Sequence, residues 1–333
     1  MANGGNLACH IQRRPKVPVK KAVIAFGGNA ILKEDERGTL QEQLLHCKET
    51  CQTLLDIVER GYGLIIVHGN GPQVGNLLIQ VEEAQRKTPP LPLEVCVAAT
   101  QGTMGFMLEM EMRNQLMGRG LKKEVTTLVT QVVIEPDIER FEHPTKPVGP
   151  FYTGEQAERL RRERHWEIVE DSHRGYRRVV PSPRPVEILE AETIKFLAES
   201  GHIIIAGGGG GIPLVREGDR LSGIEAVIDK DYTASLLARE IGADLFIILT
   251  RVPRVALHFG TPQERPLDRM TSEEARGYLA AGHFPPGSMG PKISAALEFV
   301  AATSKEVLIT SPEVLASALE GRTGTRIVKD SSQ

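Results

Sequence analysis

The chain has 333 residues, of which 41% are hydrophobic and 25% are charged, as in an ordinary globular protein with one large α/β unit or two lobes. Its formal net charge of −3 argues against nucleic acid or an anionic membrane as the main partner, because both attract basic surfaces. No apolar run approaches the roughly 20 residues that a membrane-spanning helix needs.

The N-terminal segment is basic but has no apolar stretch of the length found in secretory signals. We therefore predict that residues 1–20 form a mobile extension and that the protein is cytoplasmic. The four cysteines include no CxxC pair. Cys47 and Cys51 are spaced to share a helix face, which fits two packed thiols or a metal or redox pair.

Short apolar runs alternate along the chain with longer segments of helical spacing. The predicted strands are residues 22–26, 63–68, 126–134, 203–206, 245–250 and 306–310. The predicted helices are residues 40–60, 72–86, 94–117, 187–200, 231–241, 290–303 and 312–320. This alternation predicts a doubly wound α/β fold with a mainly parallel sheet covered on both faces. A proline-rich and charge-rich segment, residues 136–186, predicts an insertion that leaves the sheet and returns to it.

Glycine clusters directly follow three of the predicted strands. They are Gly27-Gly28-Asn29, Gly69-Asn70-Gly71 and the five glycines at 207–211. Ligands of parallel α/β sheets bind beyond the carboxyl ends of the strands, where glycine lets backbone amides approach an anion. A tight turn explains one glycine, but three clusters at three strand ends favour a shared phosphate or carboxylate site.

Three lysines occupy unusual positions. Lys230 and Lys292 open predicted helices, where an ammonium opposes the helix dipole, and Lys146 lies between two prolines of the insertion. The segment GNGPQVG at 69–75 is a relaxed form of the dinucleotide fingerprint, but no acidic ribose ligand ends a strand about 20 residues later. Anion binding by lysines is therefore favoured over a nicotinamide-dependent oxidoreductase. The sequence also has no GxxxxGK[ST] motif, which argues against a Walker-type kinase.

Several segments occur in an order that is typical of one family. They are AFGGNAIL (25–32), HGNGPQVGNLL (68–78), PTKPVGPF (144–151), EAVIDKD (225–231) and AGHFPPGSMGPKI (281–293). In these segments the chain resembles the carbamate kinases of the amino acid kinase superfamily, and the likeness runs from about residue 21 to 328. The combination of HGNGPQVG, PTKP and GSMGPK is highly specific.

The resemblance implies a three-layer α/β/α sandwich around a mainly parallel sheet. Residues 21–333 would form the kinase domain, with a substrate-side lobe at 21–213 and a nucleotide-side lobe at 214–333. A protruding subdomain would correspond to about 136–186, and two chains would form a homodimer.

The implied reaction is reversible phosphoryl transfer between ATP and carbamate, with Mg²⁺, giving ADP and carbamoyl phosphate. The implied setting is ATP-forming breakdown of arginine or purines. Related kinases carry a lysine two residues before the first glycine pair, where this chain has Ala25. Carbamate kinases lack that lysine too, and the lysine of PTKP, here Lys146, replaces its charge. One alternative is a paralogue or related acyl-phosphate kinase that acts on another small carboxylate. Another is an inactive binding protein, although such a protein would normally have lost one of the three lysines.

The resemblance also leads us to assign roles to individual residues. Lys146 would act on the carbamate side, Lys230 on the transition state and Lys292 on the β- and γ-phosphates, while Asp231 would hold Lys230 in position with a possible link to magnesium. The predicted substrate-binding residues are Gly27, Gly28, Asn29, Asn70, Gly71, Gly208, Gly209 and Gly210. The nucleotide would lie over Thr250, Val252 and Met289. Beyond that link, the metal ligands are not assigned. We also expect Gly209→Val to abolish turnover while moving the thermal midpoint by only a few degrees.

Overall fold

The computed structural model describes residues 19–33, 36–135, 138–170 and 175–330. The predicted N-terminal extension lies outside these ranges, apart from residues 19 and 20. Among the helices of the described ranges, none has both the length and the apolar character required to cross a membrane.

Strands and helices alternate through most of the chain. The strands are β1 (Lys21–Phe26), β2 (Gly63–His68), β3 (Val125–Thr127), β4 (Gln131–Ile134), β5 (Lys146–Tyr152), β6 (Ile168–Glu170), β7 (Tyr176–Val180), β8 (Pro185–Ile188), β9 (Ile203–Ile205), β10 (Ile212–Glu217), β11 (Arg220–Gly223), β12 (Leu245–Leu249), β13 (Ala256–Leu257), β14 (Arg265–Pro266), β15 (Arg269–Thr271), β16 (Val307–Thr310) and β17 (Thr325–Val328). The helices are α1 (Leu40–Glu59), α2 (Gly71–Ala84), α3 (Leu93–Gly118), α4 (Ile138–Glu142), α5 (Gly154–Arg164), α6 (Ala191–Glu199), α7 (Lys230–Glu240), α8 (Ser272–Ala280), α9 (Met289–Thr303) and α10 (Leu315–Leu319). Short 3₁₀ turns occupy Gly28–Ala30, Gly208–Gly210 and Pro312–Val314.

The main sheet has eight strands in the order β15-β17-β16-β12-β1-β2-β9-β3. The six strands from β16 to β3 are parallel, whereas β17 and the edge strand β15 run in the opposite direction. The carboxyl ends of the six parallel strands therefore lie along one edge of the sheet. The predicted division into two lobes at residue 213 stays a prediction.

Both faces of the main sheet are covered by helices. Because successive strand residues point to opposite faces, Val23 and Ala25 of β1 join a core with α6, α7, α8 and α9. Their neighbours Ala22, Ile24 and Phe26 join a second core with α1, α3 and α10. The protein is a three-layer α/β/α sandwich around a mostly parallel sheet, so the predicted fold class is confirmed.

Cys47 and Cys51 are buried in the second core, on α1. Burial raises the pKa of the Cys47 thiol to about 12 and that of Cys51 well above its usual value, so both thiols stay protonated. The described residues contain no cluster of three or more His, Cys, Asp or Glu side chains that would hold a metal ion. Of the two alternatives, packed thiols fit this environment.

The predicted single strand at 126–134 is wrong, because the structure divides it between two sheets. β3 belongs to the main sheet, whereas β4 belongs to a four-stranded sheet of order β11-β10-β4-β8. The buried amide side chain of Gln101 accepts from the Thr130 N–H at 2.7 Å and donates to the Thr130 carbonyl at 3.1 Å. These bonds satisfy the backbone where the chain passes from one sheet to the other.

The predicted helix at 187–200 begins too early. Its first residues belong to β8, which pairs antiparallel with β4, and helix α6 begins only at Ala191. The Glu190 carboxylate accepts from the Gln131 backbone N–H at 2.8 Å, which fixes the turn between strand and helix. The start of α6 is decided by the pairing of β8 with β4, which is distant in sequence. The local spacing of apolar residues does not predict this pairing.

The insertion forms a small subdomain with its own three-stranded sheet, β5-β7-β6, together with α4 and α5. Residues 136–137 and 171–174 of the insertion lie outside the described residues. Val148 and Val180 of the subdomain pack against Val74 of α2. The subdomain therefore rests on the helix that follows β2, and β5 starts at Lys146.

Glu240, the last residue of α7, gives a stability prediction. Its Oε2 is buried and has no hydrogen-bond partner among the described residues, and burial raises the pKa of the carboxyl to about 7. Because the folded state holds this proton more tightly than the unfolded chain, its contribution is lost as pH rises from about 4.5 to 7. Relative to the native protein, Glu240→Gln should gain about 2 kcal/mol of unfolding free energy between pH 4.5 and 8.

Urea unfolding of both proteins at several pH values measures this gain. Glu199→Gln is the control, since its carboxylate forms only a half-exposed ion pair with Lys21 at 3.4 Å and should show less than about 1 kcal/mol of change. A stability difference between Glu240→Gln and the native protein that is the same at pH 4.5 and 8 would contradict the prediction.

Candidate active site

The glycine turns after β1, β2 and β9 meet at the carboxyl edge of the main sheet. A β-carbon built on Gly69 would lie 2.8 Å from the Gly28 amide nitrogen and 3.1 Å from Cδ of Lys230. A β-carbon on Gly209 would lie 2.4 Å from Nδ2 of Asn70. The three predicted glycine clusters and the stem of Lys230 are therefore adjacent in space.

The glycine run is fixed through its carbonyl groups. Nε2 of Gln101 donates to the Gly208 carbonyl at 3.0 Å, and the Thr233 hydroxyl donates to the Gly210 carbonyl at 2.7 Å. Within the described part of the chain, no hydrogen-bond acceptor is found for the amides of Gly208 and Gly209. The run thus leaves two backbone N–H groups available, as an anion site requires.

Two lysines from different helices meet on one buried carboxylate. Lys230, the first residue of α7, places Nζ 3.1 Å from both carboxylate oxygens of Asp231. Lys292, in the first turn of α9, places Nζ 3.0 Å from Oδ2 of the same carboxylate. Asp231 is 1% exposed, so this carboxylate lies in the interior with an ammonium on two sides.

Lys146 reaches the same helix start from the subdomain. Its Nζ lies 2.8 Å from Oδ2 of Asp229, while Oδ1 of Asp229 accepts from the Asp231 backbone N–H at 3.0 Å and caps α7. Asp229 is not among the residues whose roles were predicted from the sequence. Its position directly before a predicted helix, where Asp is a favoured N-cap, was the signal available.

Three ammonium groups and two carboxylates therefore alternate at the start of α7, with one net positive charge. Asp231 and Asp229 raise the pKa of Lys230 against the opposing effect of burial. Burial lowers the pKa of Lys292, with nearby Lys230 adding to this effect. Lys146 and Lys230 hold the pKa of Asp229 well below its usual range. The cluster is suited to receiving anions.

His68, at the end of β2, is a neutral structural residue. It is buried, and burial lowers the pKa of its imidazole to about 4. Nδ1 lies 3.1 Å from the Gly69 carbonyl, which can only accept, so Nδ1 carries the proton. This bond orients the ring beside the glycine turns.

The predicted nucleotide residues follow β12 or open α9. Thr250 directly follows β12, and its backbone N–H donates to the Thr310 carbonyl at 2.8 Å. Val252 is half-buried in the next bend, and half-buried Met289 opens α9 one turn before Lys292. Asn29 lies in the turn after β1, and Gly71 is the first residue of α2. The roles of all these residues stay predictions.

Comparison with known proteins shows the family of this chain. The model of the amino acid kinase family matches residues 20–311. The chain belongs to the amino acid kinase family. Carbamate kinase of Pyrococcus furiosus is 45% identical over 93% of this chain and 99% of its own length. The carbamate kinase-like protein YahI of Escherichia coli is 46% identical over 92% of this chain and 98% of its own length.

A solved structure gives the same result for the fold. Carbamate kinase from Giardia lamblia bound to AMP-PNP superposes with a TM-score of 0.88 at 41% identity, covering 94% of this chain and 99% of that chain. The resemblance to carbamate kinases drawn from the sequence motifs is confirmed. Gln101, Thr233 and Asp229 also help to form the site, and no role was predicted for them from the sequence.

The expectation for Gly209→Val must be revised on this geometry. Gly209 has a φ of +68°, and any β-carbon there overlaps the buried Asn70 side chain. Gly209→Ala should therefore lower stability by about 2–4 kcal/mol, in addition to reducing turnover. Thermal unfolding measures this loss. Gly102→Ala is the matched control, because nothing lies within 4 Å of its added methyl group on α3. Equal midpoints for the two variants would refute the prediction.

Proposed function

We propose that this chain is a carbamate kinase that transfers the phosphoryl group reversibly between ATP and carbamate, giving ADP and carbamoyl phosphate. The observation that carries the proposal is the convergence of Lys230 and Lys292 on Asp231, beside the glycine turns of three strands. The carbamate kinases among its relatives, similar over nearly their full length, support the same reaction.

The site is built to overcome repulsion between two anionic substrates. Unit charges 4 Å apart repel by about 4 kcal/mol at an effective dielectric near 20. The ammonium groups of Lys146, Lys230 and Lys292 and the amides of Gly28, Gly208 and Gly209 supply positive charge and dipoles that offset this repulsion. Because they are already fixed in place, they also stabilise charge that spreads over the transferring group.

The reaction needs no general base, and none of the site's described side chains is available to act as one. A carbamate oxygen is already anionic when it attacks the γ-phosphorus. Both carboxylate oxygens of Asp231 accept hydrogen bonds from ammonium groups. His68 is neutral, and its N–H donates to the Gly69 carbonyl. We assign Asp231 to positioning Lys230 and Lys292.

ATP and ADP enter this proposal as substrates, with Thr250, Val252 and Met289 beneath the nucleotide and Lys292 on its phosphates. The residues of the site do not fit a resident metal ion, since Asp231 and Asp229 are both engaged by lysines. We therefore propose that Mg²⁺ arrives bound to the nucleotide, as part of the substrate. The phosphate oxygens would then supply most of its ligands.

The decisive assay measures ATP formation from ADP and carbamoyl phosphate, with acetyl phosphate as the parallel substrate. The proposal expects turnover with carbamoyl phosphate and little with acetyl phosphate. The reverse preference would favour the alternative, an acyl-phosphate kinase for another small carboxylate, which the carbamate kinase-like relatives keep open. No turnover with either substrate would refute both.

A homodimer is part of the proposal. β3 is the last strand of the main sheet, and the exposed side chains of Phe106 and Val129 lie on α3 and just after β3. Exposed apolar residues beside an open sheet edge are suited to a second copy of the chain. Sedimentation should give a dimer that Phe106→Glu converts to monomer.

The cytoplasmic location and the arginine or purine pathway stay predictions.

A further inference from the structure

Asp229 uses its two carboxylate oxygens for two different tasks. Oδ1 accepts from the Asp231 backbone N–H at 3.0 Å, which caps α7. Oδ2 lies 2.8 Å from Nζ of Lys146, which belongs to β5 of the subdomain. The first bond fixes the helix that carries Lys230, and the second holds a lysine that comes from elsewhere.

We propose that Asp229 is a positioning residue that holds the Lys146 ammonium over the carbamate side of the site. This inference rests on the proposed function, since it concerns how one lysine of that reaction is placed. It assigns to Asp229 an effect on turnover that passes through Lys146 and is separate from helix capping.

Lys146 depends on this ion pair more than the other two lysines depend on theirs. The side chains of Lys230 and Lys292 are 12% and 15% exposed and share the buried Asp231 carboxylate. The Lys146 side chain is 34% exposed, and Asp229 is its one ion-pair partner in the described ranges. A flexible lysine stem that is one-third exposed keeps a single position only if its charge is held.

The loop that ends in Asp229 is itself attached to the subdomain. Arg178 of β7 forms an ion pair with Glu225 at 2.7 Å, and the Val227 N–H donates to the Pro181 carbonyl at 3.0 Å. Three successive contacts of residues 225–229 with the subdomain therefore set the distance between Asp229 and Lys146. This arrangement places the ammonium relative to α7, where Lys230 begins.

Asp229→Asn separates the two tasks. The Asn side chain keeps an oxygen that caps α7, so the thermal midpoint should stay within a few degrees. Its neutral amide no longer holds the ammonium, so we expect kcat to fall about 10- to 100-fold. The site also gains a net positive charge, so calorimetry should show ADP binding that is not weakened. An effect of helix capping alone would instead lower the thermal midpoint and leave kcat near the native value.

A double-mutant cycle with Lys146→Ala tests the route of the effect. If Asp229 acts through Lys146, then Asp229→Asn should change kcat by less than about twofold in the Lys146→Ala background. If the losses of kcat caused by Asp229→Asn and Lys146→Ala multiply in the double variant, the inference is wrong. It is also wrong if Asp229→Asn alone leaves kcat unchanged. The native protein in the same assay reports on the proposed function. Its turnover establishes that function whatever the variants do, and its inactivity would overturn both.

Asp244→Asn is the matched control. Asp244 also combines a backbone N–H, that of Lys21 at 2.9 Å, with a lysine ammonium, that of Lys305 at 3.1 Å. It directly precedes β12, so it lies at the amino ends of the parallel strands, away from the carboxyl ends that carry the site. We expect its kcat to equal that of the native protein. A loss equal to that of Asp229→Asn would show that the effect on kcat is a general consequence of losing such a carboxylate.

Discussion

Lys230→Ala should lower kcat by about a thousandfold or more while the protein stays folded and binds ADP with nearly native affinity. The ammonium of Lys230 lies in the interior beside the glycine turns, where charge stabilisation is strong because little water screens it. An interaction made mainly with the transition state lowers kcat when it is removed and leaves ground-state binding largely intact. The Asp231 carboxylate keeps Lys292, so the variant does not leave it unpaired.

Steady-state kinetics, calorimetric ADP titration and thermal unfolding together test this expectation. Lys305→Ala is the control, because it removes an ion pair with Asp244 at 3.1 Å on the opposite edge of the sheet. That variant should keep native kinetics. An unchanged kcat for Lys230→Ala would remove Lys230 from the chemistry, and a collapse of its thermal midpoint would assign it a structural role.

Asp231→Asn should damage both stability and turnover. The substitution keeps the shape of the side chain but leaves two buried ammonium groups without their shared anion, which costs about 3–5 kcal/mol. We expect kcat to fall at least about a hundredfold, because Lys230 and Lys292 then repel and move apart. Since burial already lowers the pKa of Lys292, the variant should also lose activity at a lower alkaline pH than the native protein.

Urea unfolding and the pH dependence of kcat measure these effects. Asp268→Asn is the control, since Asp268 is 77% exposed and forms a surface ion pair with Arg254 at 2.8 Å. It should change stability by less than about 1 kcal/mol. A variant of Asp231 with native stability and a native alkaline limb would show that the two lysines do not depend on this carboxylate.

The placement of the lysines connects the fold with the proposed reaction. Lys146, Lys230 and Lys292 come from the subdomain, α7 and α9, three parts of the chain that are far apart in sequence. The parallel sheet aligns the carboxyl ends of its strands, and Asp229 and Asp231 join the three ammonium groups to one helix start. The same carboxylates keep the cations close enough to act on one pair of substrates.

Local patterns in the sequence were sufficient for several features. Apolar runs such as 63–68 and 245–250 identified central strands, because a strand covered on both faces is apolar throughout. The glycine clusters marked the ends of three strands, since few other residues allow backbone to approach backbone so closely. The motifs around Lys146, Lys230 and Lys292 indicated the family, and the comparisons confirmed it.

Only the tertiary structure decided which groups meet. The split of 126–134 between two sheets depends on Gln101, and the strand at 185–188 depends on β4; neither partner is a sequence neighbour. Gly209 needs its positive φ and its missing side chain because Asn70 lies against it. The spacing of apolar residues indicates whether a segment forms a helix or a strand and which of its faces is buried. Contacts between distant segments follow from how the whole chain packs, so the pairing of Asp229 with Lys146 becomes visible only in three dimensions.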